Sequence, residues 1–341
     1  MPVATTTSDF TGASLPARRR TPLHLGSPLV GLRVINQMGA GVAEHLLREQ
    51  PDLELIEFTG GDPPAGIAAD VFFGGYFGWD EIARWIDAAG VRWVQVSGTG
   101  VDKVPRSIYD GRVVTCARGA SAEPISEWVI AAVLAWAKRM PETQLHEPPR
   151  HWNFPWPPLD AVAGSRLALV GLGGIGTAIA RRALAFDMQV RALRRTDAPS
   201  PVPGVEVVRS LDDLVADADH LVLAAPATAK TRHLVDAALL EKVKPGLHLV
   251  NIARGALVDQ DALRVALDDG RVAMATLDTV DPEPLPEGHW LYTHPKVRLF
   301  AHVSWYNPDL QGASIEIFLD NLRRFAAGEE LREVVDADEG Y

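Results

Sequence analysis

The sequence predicts an α/β protein built on two doubly wound parallel sheets, and three observations predict it. Short apolar strands alternate with amphipathic helices, the pattern that forms parallel sheets covered by helices on both faces. At 341 residues the chain exceeds one ordinary domain. Midway, the apolar run 167–170 breaks into Gly171, Gly173, Gly174 and Gly176 and resumes as a helical pattern from Thr177, restarting the alternation.

That midway stretch reads strand, tight turn, helix. Gly171 permits the turn, Gly173 lets the main chain approach a pyrophosphate, and Gly176 lets the helix pack on the strand, so the helix N-terminus offers N–H groups to an anion. The glycine spacing alone is a weak signal of a dinucleotide cradle, and its strand–turn–helix context strengthens it.

Taken in order, residues 1–27 are rich in Thr, Ser, Ala, Pro and Arg without apolar periodicity, and a flexible arm is expected there. Strands follow over 32–35, 53–58, 70–73 and 91–96, with helices over 42–47 and 82–89 between them. The longest helical pattern covers 122–140, with Trp128 and Trp136 on one face, either a buried seam or a subunit contact. The stretch 146–158 is too proline-rich for regular structure and is either a linker or an arm. Beyond the glycine turn, strands are expected over 188–193, 220–226, 247–252 and 272–278. A helix from about 308 to 327 closes the fold, and the acidic tail 329–341 is expected to be solvated.

Composition narrows the function. A formal net charge of −11 argues against nucleic acid or an anionic membrane as partner. Hydrophobic residues at 47% suffice for two cores, and no apolar run reaches the ~18 residues that span a bilayer. Cys116 is the single cysteine, so neither an intramolecular disulfide nor a thiolate metal cluster can form. The cytoplasm is the expected location, Cys116 is expected to be a small core residue, and no metal site is expected.

Two loops carry further chemistry. Ser97-Gly98-Thr99-Gly100-Val101-Asp102 follows a strand and is either an ordinary βα turn or a cradle whose N–H groups receive a ligand carboxylate. The strand 188–193 ends in Arg194-Arg195-Thr196, where a dinucleotide fold meets the adenosine ribose; a carboxylate there accepts from the 2′-hydroxyl, whereas arginine pairs with a 2′-phosphate. No acidic residue appears until Asp197. NADP(H) is therefore favoured, the alternative being solvated arginines, or arginines stacked on adenine with NAD(H) bound.

Asn251-Ile252-Ala253-Arg254-Gly255, Asp278 closing a strand, Asp281-Pro282-Glu283-Pro284-Leu285-Pro286, and His302 before Val303-Ser304-Trp305 together form a set. This set resembles the D-isomer-specific 2-hydroxyacid dehydrogenases, and the likeness runs from about Gly31 to Gly328. The resemblance implies two Rossmann-like domains with the active site in the cleft between them. Residues 28–124 and 304–341 would form a discontinuous substrate-binding domain, and 125–303 the dinucleotide-binding domain. It also implies a homodimer paired through the long helix and the arm that follows.

The chemistry of a 2-oxo acid explains the charged residues. Its carboxylate needs a planar cationic fork, a role that falls to Arg254. Hydride arriving at the carbonyl carbon calls for a positioned acid, His302, and a carboxylate on the other ring nitrogen, Glu283, favours the charged ring and fixes its orientation. By the same resemblance Ser97, Gly98 and Thr99 hold the substrate carboxylate. The cofactor is held by Gly171, Gly173, Gly174, Ile175, Gly176, Arg194, Arg195, Thr196, Ala225, Pro226, Thr231, Ile252, Ala253, Arg254, Asp278, His302 and Ser304, with Asp278 near the nicotinamide. Phe300-Ala301 stand where the family usually has Thr-Pro, making the histidine loop more apolar, and Arg194 stands where it often has an acid, as in its glyoxylate and hydroxypyruvate reductase branch. Pocket shape is expected to depend on Tyr76-Phe77, Trp290, Trp305 and a partner-facing Trp152. The reading is a reductase of small 2-oxo acids using NADP(H), or NAD(H), to make D-2-hydroxy acids. Its alternatives are an NAD-linked oxidation of a D-2-hydroxy acid and a corepressor-like dinucleotide sensor.

Overall fold

The computed structural model describes residues 31–341 except 76–77, 149–151, 153–157, 197 and 308–309. The expected N-terminal arm, Tyr76-Phe77, Asp197, the first residues of the last expected helix and most of the proline-rich stretch lie outside the described residues.

The first half supplies β1 (Arg33–Asn36), α1 (Ala40–Glu49), β2 (Glu54–Glu57), β3 (Val71–Gly74), α2 (Trp79–Ala89), β4 (Trp93–Val96) and β5 (Val113–Cys116). Its strands form a parallel sheet in the order β2-β1-β3-β4-β5. β3 and β4 are buried throughout, so helices must cover both faces. After α3 (Ala122–Ala137) and α4 (Met140–Thr143) come β6 (Arg166–Val170), α5 (Gly174–Ala185), β7 (Gln189–Leu193), β8 (Val205–Val208), α6 (Leu211–Val215) and β9 (His220–Leu223). They continue into α7 (Ala237–Leu240), β10 (Leu247–Asn251), α8 (Gln260–Asp268), β11 (Val272–Leu277), β12 (Val297–Leu299) and α9 (Leu310–Ala327). The second sheet, also parallel, runs β12-β11-β10-β9-β6-β7-β8. Two doubly wound sheets are thus present, and in each the order reverses at one point, where ligands of such folds bind.

α9 returns from the second sheet to the first. Its Phe318 stacks on Phe73 with ring centroids 4.2 Å apart and lies 5.4 Å from Trp93. A buried polar chain fixes the same contact: Trp93 Nε1 donates to Thr115 Oγ1, Thr115 donates to Gln95 Oε1, and Asn321 of α9 donates to that oxygen too. α3 instead packs on α5 in the second core. Cys116 is fully buried, and burial pushes its thiol up, as befits a core residue.

Several expectations need correction. The long helix stops at Ala137, not 140, because Arg139 adopts a left-handed conformation (φ 47°) before α4 begins. The tail after α9 is not simply solvated: Val334 bridges Thr115 antiparallel, Val335 donates to Val114 and is buried, and Asp338 reaches Arg106. β5, β8 and β12, four residues or fewer, were not anticipated as strands. Among the described residues no helix is long and apolar enough to cross a membrane.

A second buried polar chain crosses the second sheet. His220 Nδ1 on β9 lies 3.2 Å from His248 Nδ1 on β10, and His248 Nε2 lies 2.9 Å from Thr276 Oγ1 on β11. Such a contact needs one donor and one acceptor nitrogen, so the rings cannot both be charged. Burial lowers both, His220 from an ordinary 6.5 to about 4. The unfolded chain therefore takes up protons first as pH falls, and this contribution is complete above pH 6.5 and disappears on the way to about 4. Urea unfolding of the second domain is expected to lose about 3 kcal/mol between those limits from His220 alone. H220Q should flatten that slope; an equally steep slope in the variant would refute the assignment.

Candidate active site

Four carboxyl-terminal strand loops converge on one region. After β11, the carboxylate of Asp278 is buried and receives the N–H groups of Val303 at 2.8 Å and Ser304 at 3.1 Å, while its carbonyl receives that of His302 at 2.9 Å. One residue thus grips three consecutive positions. His302 is held there with φ +54°, a left-handed conformation sparsely used by non-glycine residues, which marks a backbone constrained by its surroundings.

The His302 ring meets its expected carboxylate: Nδ1 lies 2.9 Å from Glu283 Oε2. Glu283 sits between Pro282 and Pro284, whose rings restrict the chain, and its other oxygen accepts from Val280 N–H at 3.1 Å. Burial works to raise the Glu283 carboxyl, but the hydrogen bond and charge of His302, the Val280 N–H and the nearby Arg254 guanidinium outweigh it and hold it below the ordinary 4.5. Glu283 is therefore ionised at neutral pH.

Arg254 follows β10 and reaches across to the first sheet. Its Nε and Nη2 donate to Asp102 Oδ1 at 3.0 and 2.8 Å, and Nη1 donates to the Ala253 carbonyl at 2.7 Å. Burial raises the Asp102 carboxyl, but Arg254 overcomes that and holds it below the ordinary 3.8. A Cβ on Gly100 would stand 1.7 Å from Arg254 Nη2, so only glycine lets the guanidinium lie against the loop. Asp102 was not singled out from sequence as a partner for Arg254; it closes the loop already noted there, but nothing local in the chain points to a residue 152 positions away.

The 97–102 loop is pinned by neighbouring strands. Ala117 donates to the Gly98 carbonyl at 2.9 Å, and Thr99 Oγ1 donates to the Ala117 carbonyl at 3.2 Å. Ser97 lies beneath the loop rather than on it: it is buried, its N–H already bonds the Gly74 carbonyl, and its Oγ has no partner among the described residues.

The glycine turn fits a dinucleotide. Gly171 has φ +99°, and a Cβ there would meet the Ala224 carbonyl at 2.6 Å; one on Gly176 would meet the Gly171 carbonyl at 2.1 Å. One on Gly173 would meet nothing within 4 Å, leaving its outward side open to a phosphate. Gly174 and Ile175 begin α5, whose first turn carries no acidic residue to repel an anion. The loop after β9 with Ala225 and Pro226 is braced by Thr231, whose hydroxyl donates to the Pro226 carbonyl at 2.7 Å. Ile252 and Ala253 lead directly into Arg254, with the Ala253 N–H held by Asn251. At the end of β7, Arg194 Nη1 donates to the Ala198 and Pro199 carbonyls, while Arg195 and Thr196 are exposed.

The expected aromatic walls divide. Trp305 follows His302 and packs edge to face with exposed Tyr306, whereas Trp290 packs against His289, His294 and Arg264, in a cluster around α8 and the β12 approach rather than with the histidine loop. Phe300, in place of the family's usual threonine, stands edge-on to Trp128 at 5.0 Å and ties the histidine loop to α3. Trp136 faces His248, so both tryptophans form a seam within the chain. Trp152 is exposed.

Residues 130–304 match the family described as "D-isomer specific 2-hydroxyacid dehydrogenase, NAD binding domain". The chain is 31% identical over 257 residues to a glyoxylate reductase of Thermofilum pendens, covering 72% of this chain and 76% of that one. It is 33% identical over 223 residues to glyoxylate/hydroxypyruvate reductase A of Photorhabdus laumondii, covering 64% and 68%. A solved D-isomer specific 2-hydroxyacid dehydrogenase of Xanthobacter autotrophicus, in complex with NADPH and MES, superposes with a TM-score of 0.77 at 25% identity, covering 92% of this chain and all of that one.

Because Gly100 abuts the tip of a flexible side chain, G100A should fold with little change in melting temperature yet displace Arg254. Oxalate, a planar carboxylate probe, is expected to bind the variant about tenfold more weakly in the presence of a saturating dinucleotide. Unchanged oxalate affinity would remove Arg254 from anion recognition.

Proposed function

The chain belongs to the D-isomer specific 2-hydroxyacid dehydrogenase family, and from that premise we propose that it reduces small 2-oxo acids of the glyoxylate and hydroxypyruvate type to D-2-hydroxy acids, with NADPH preferred. The observation that carries this reading is the His302–Glu283 contact of 2.9 Å in the cleft that Arg254 and Asp102 also close.

A bound nicotinamide supplies the hydride. The chain's own groups do the rest. Arg254 offers its fork to the substrate carboxylate and carbonyl oxygen, and the N–H groups of Gly98 and Thr99 orient the other end of the carboxylate. As the carbonyl carbon is reduced, its oxygen takes the proton from Nε2 of His302. Glu283, ionised on Nδ1, favours the protonated ring before transfer and holds it in place afterwards. In the reverse direction the same nitrogen accepts the proton of the hydroxyl.

For the cofactor, the glycine turn and the N-terminus of α5 would hold the pyrophosphate. Arg194, Arg195 and Thr196 stand where a 2′-phosphate would lie, which supports NADP(H). One observation favours NAD(H) as a competitor: Arg195 already faces a carboxylate, Glu339.

Oxidation of NADPH and NADH against glyoxylate, hydroxypyruvate, pyruvate and a bulkier 2-oxo acid is the direct test, the last included because exposed Trp305 and Tyr306 follow His302 closely in the chain. R194D should collapse an NADPH preference, and the absence of turnover with any pair would overturn the reductase reading. H302A is expected to lower kcat by about a hundredfold or more with dinucleotide binding intact. A sensor would keep its dinucleotide response without turnover in the unaltered chain. Because the Glu283 carboxyl lies below 4.5, its contribution should persist as pH falls from 7 to 5 and disappear only below that range. E283Q should instead lose activity at every pH, most strongly on the alkaline side; a variant profile parallel to the wild type would sink this role.

A further inference from the structure

The tail after α9 ends on Arg195, one of the cations assigned above to the cofactor. Having paired with β5 through Val334 and Val335, the chain turns tightly: Asp336 Oδ1 accepts the N–H groups of Asp338 and Glu339, Gly340 donates to the Asp336 carbonyl, and Asp336 donates to the Tyr341 carbonyl. This closed turn presents its side chains in fixed directions. Asp338 reaches Arg106 beside the first sheet at 2.8 Å. Glu339 reaches the second, 3.5 Å from Arg195 and 3.8 Å from Lys230. The Tyr341 ring lies 4.9 Å from the Arg195 guanidinium, on its face. The tail therefore spans the two domains and closes over the end of β7.

We infer that Glu339 is a cofactor-selectivity residue, delivered from the C-terminal tail to the adenosine end of the dinucleotide site, where it opposes a 2′-phosphate and favours NAD(H). The inference rests on the reading of Arg194 and Arg195 as the ribose-facing pair. The end of β7 lacks the acidic residue that accepts from a ribose 2′-hydroxyl in NAD(H)-binding folds, and residues 194–196 include no acid. Glu339 brings a carboxylate to that corner from a segment more than 140 residues away. It acts in one direction by two routes. It neutralises Arg195 and Lys230, the cations a phosphate dianion would need, and it repels that dianion directly. The Arg195 guanidinium also lies over the face of the Tyr341 ring, a contact that favours its place beside Glu339.

The effect is selective because only the 2′-phosphate distinguishes the two cofactors. A tail that merely clasped the domains would change the affinity for both alike. The discriminating quantity is the ratio of the dissociation constants for NADH and NADPH, read by nicotinamide fluorescence on the full chain.

E339Q is expected to tighten NADPH binding about three- to fivefold with little change for NADH, the scale of one partly exposed ion pair. E339K should shift the ratio further in the same direction, and 0.5 M salt should shrink both effects. R194D, measured alongside, reports on the underlying pocket. A ratio unmoved in both Glu339 variants, or both cofactors changing together, would overturn the inference. If R194D still moves the ratio in that case, the 2′-phosphate reading stands alone. Failure of the unaltered chain to bind either dinucleotide would sink both.

Discussion

The geometry of the site depends on one buried carboxylate. Asp278 directly follows β11 in the core of the second sheet, and the three hydrogen bonds it accepts from the N–H groups of residues 302–304 hold His302 in a left-handed conformation. Such a conformation costs a histidine on the order of 1 kcal/mol, small against several hydrogen bonds to a charged or polar acceptor. What it gains is direction. The ring can then meet Glu283 by way of Nδ1 alone, and Glu283 is itself restrained by two prolines and the Val280 N–H. The His302 ring is thus positioned by a chain of contacts that begins in the sheet.

Two sheets must also be held at a working separation, and the chain uses charge for this. Arg254 and Asp102 form the inner link, each about 30% and 26% exposed at the side chain, so water screens them only partly. The Arg254 guanidinium is therefore held in one orientation, with Nη1 fixed by the Ala253 carbonyl. Preorganisation of this kind reduces the ordering needed when substrate binds.

Much of this was legible in the chain itself, for identifiable reasons. β6, β9, β10 and β11 are buried almost throughout, so they read as largely apolar runs, and the glycine turn announces itself because Gly171 and Gly176 stand where a Cβ would strike a carbonyl. Arg254, Glu283 and His302 were legible only as a family pattern, since they come from three different loops. β5 and β12 were not legible, because strands of four and three residues carry too little periodicity to separate from loops. Asp102 and Glu339 were missed for a different reason: a carboxylate on a loop or in an acidic tail looks solvated until the fold supplies its cation. The tail composition suggested solvation, yet Val334 and Val335 supply the apolar pair that lets it dock on β5.

That docking places a carboxylate, Glu339, beside the cations Arg195 and Lys230. Arg195 and Lys230 are largely exposed, and an ion pair between exposed groups is worth about 0–1 kcal/mol, so Glu339 neutralises them only weakly. A 2′-phosphate carries more charge than a carboxylate and offers several acceptor oxygens to both cations at once. It can therefore compete for them, whereas a 2′-hydroxyl has no need to. On the proposed reading selectivity at such a corner is graded: the tail sets the balance between two dinucleotides, and the arginines decide that a balance exists. Salt enters on the same side as the tail, because ions screen the phosphate's attraction to the arginines more than a hydroxyl's neutral hydrogen bonds.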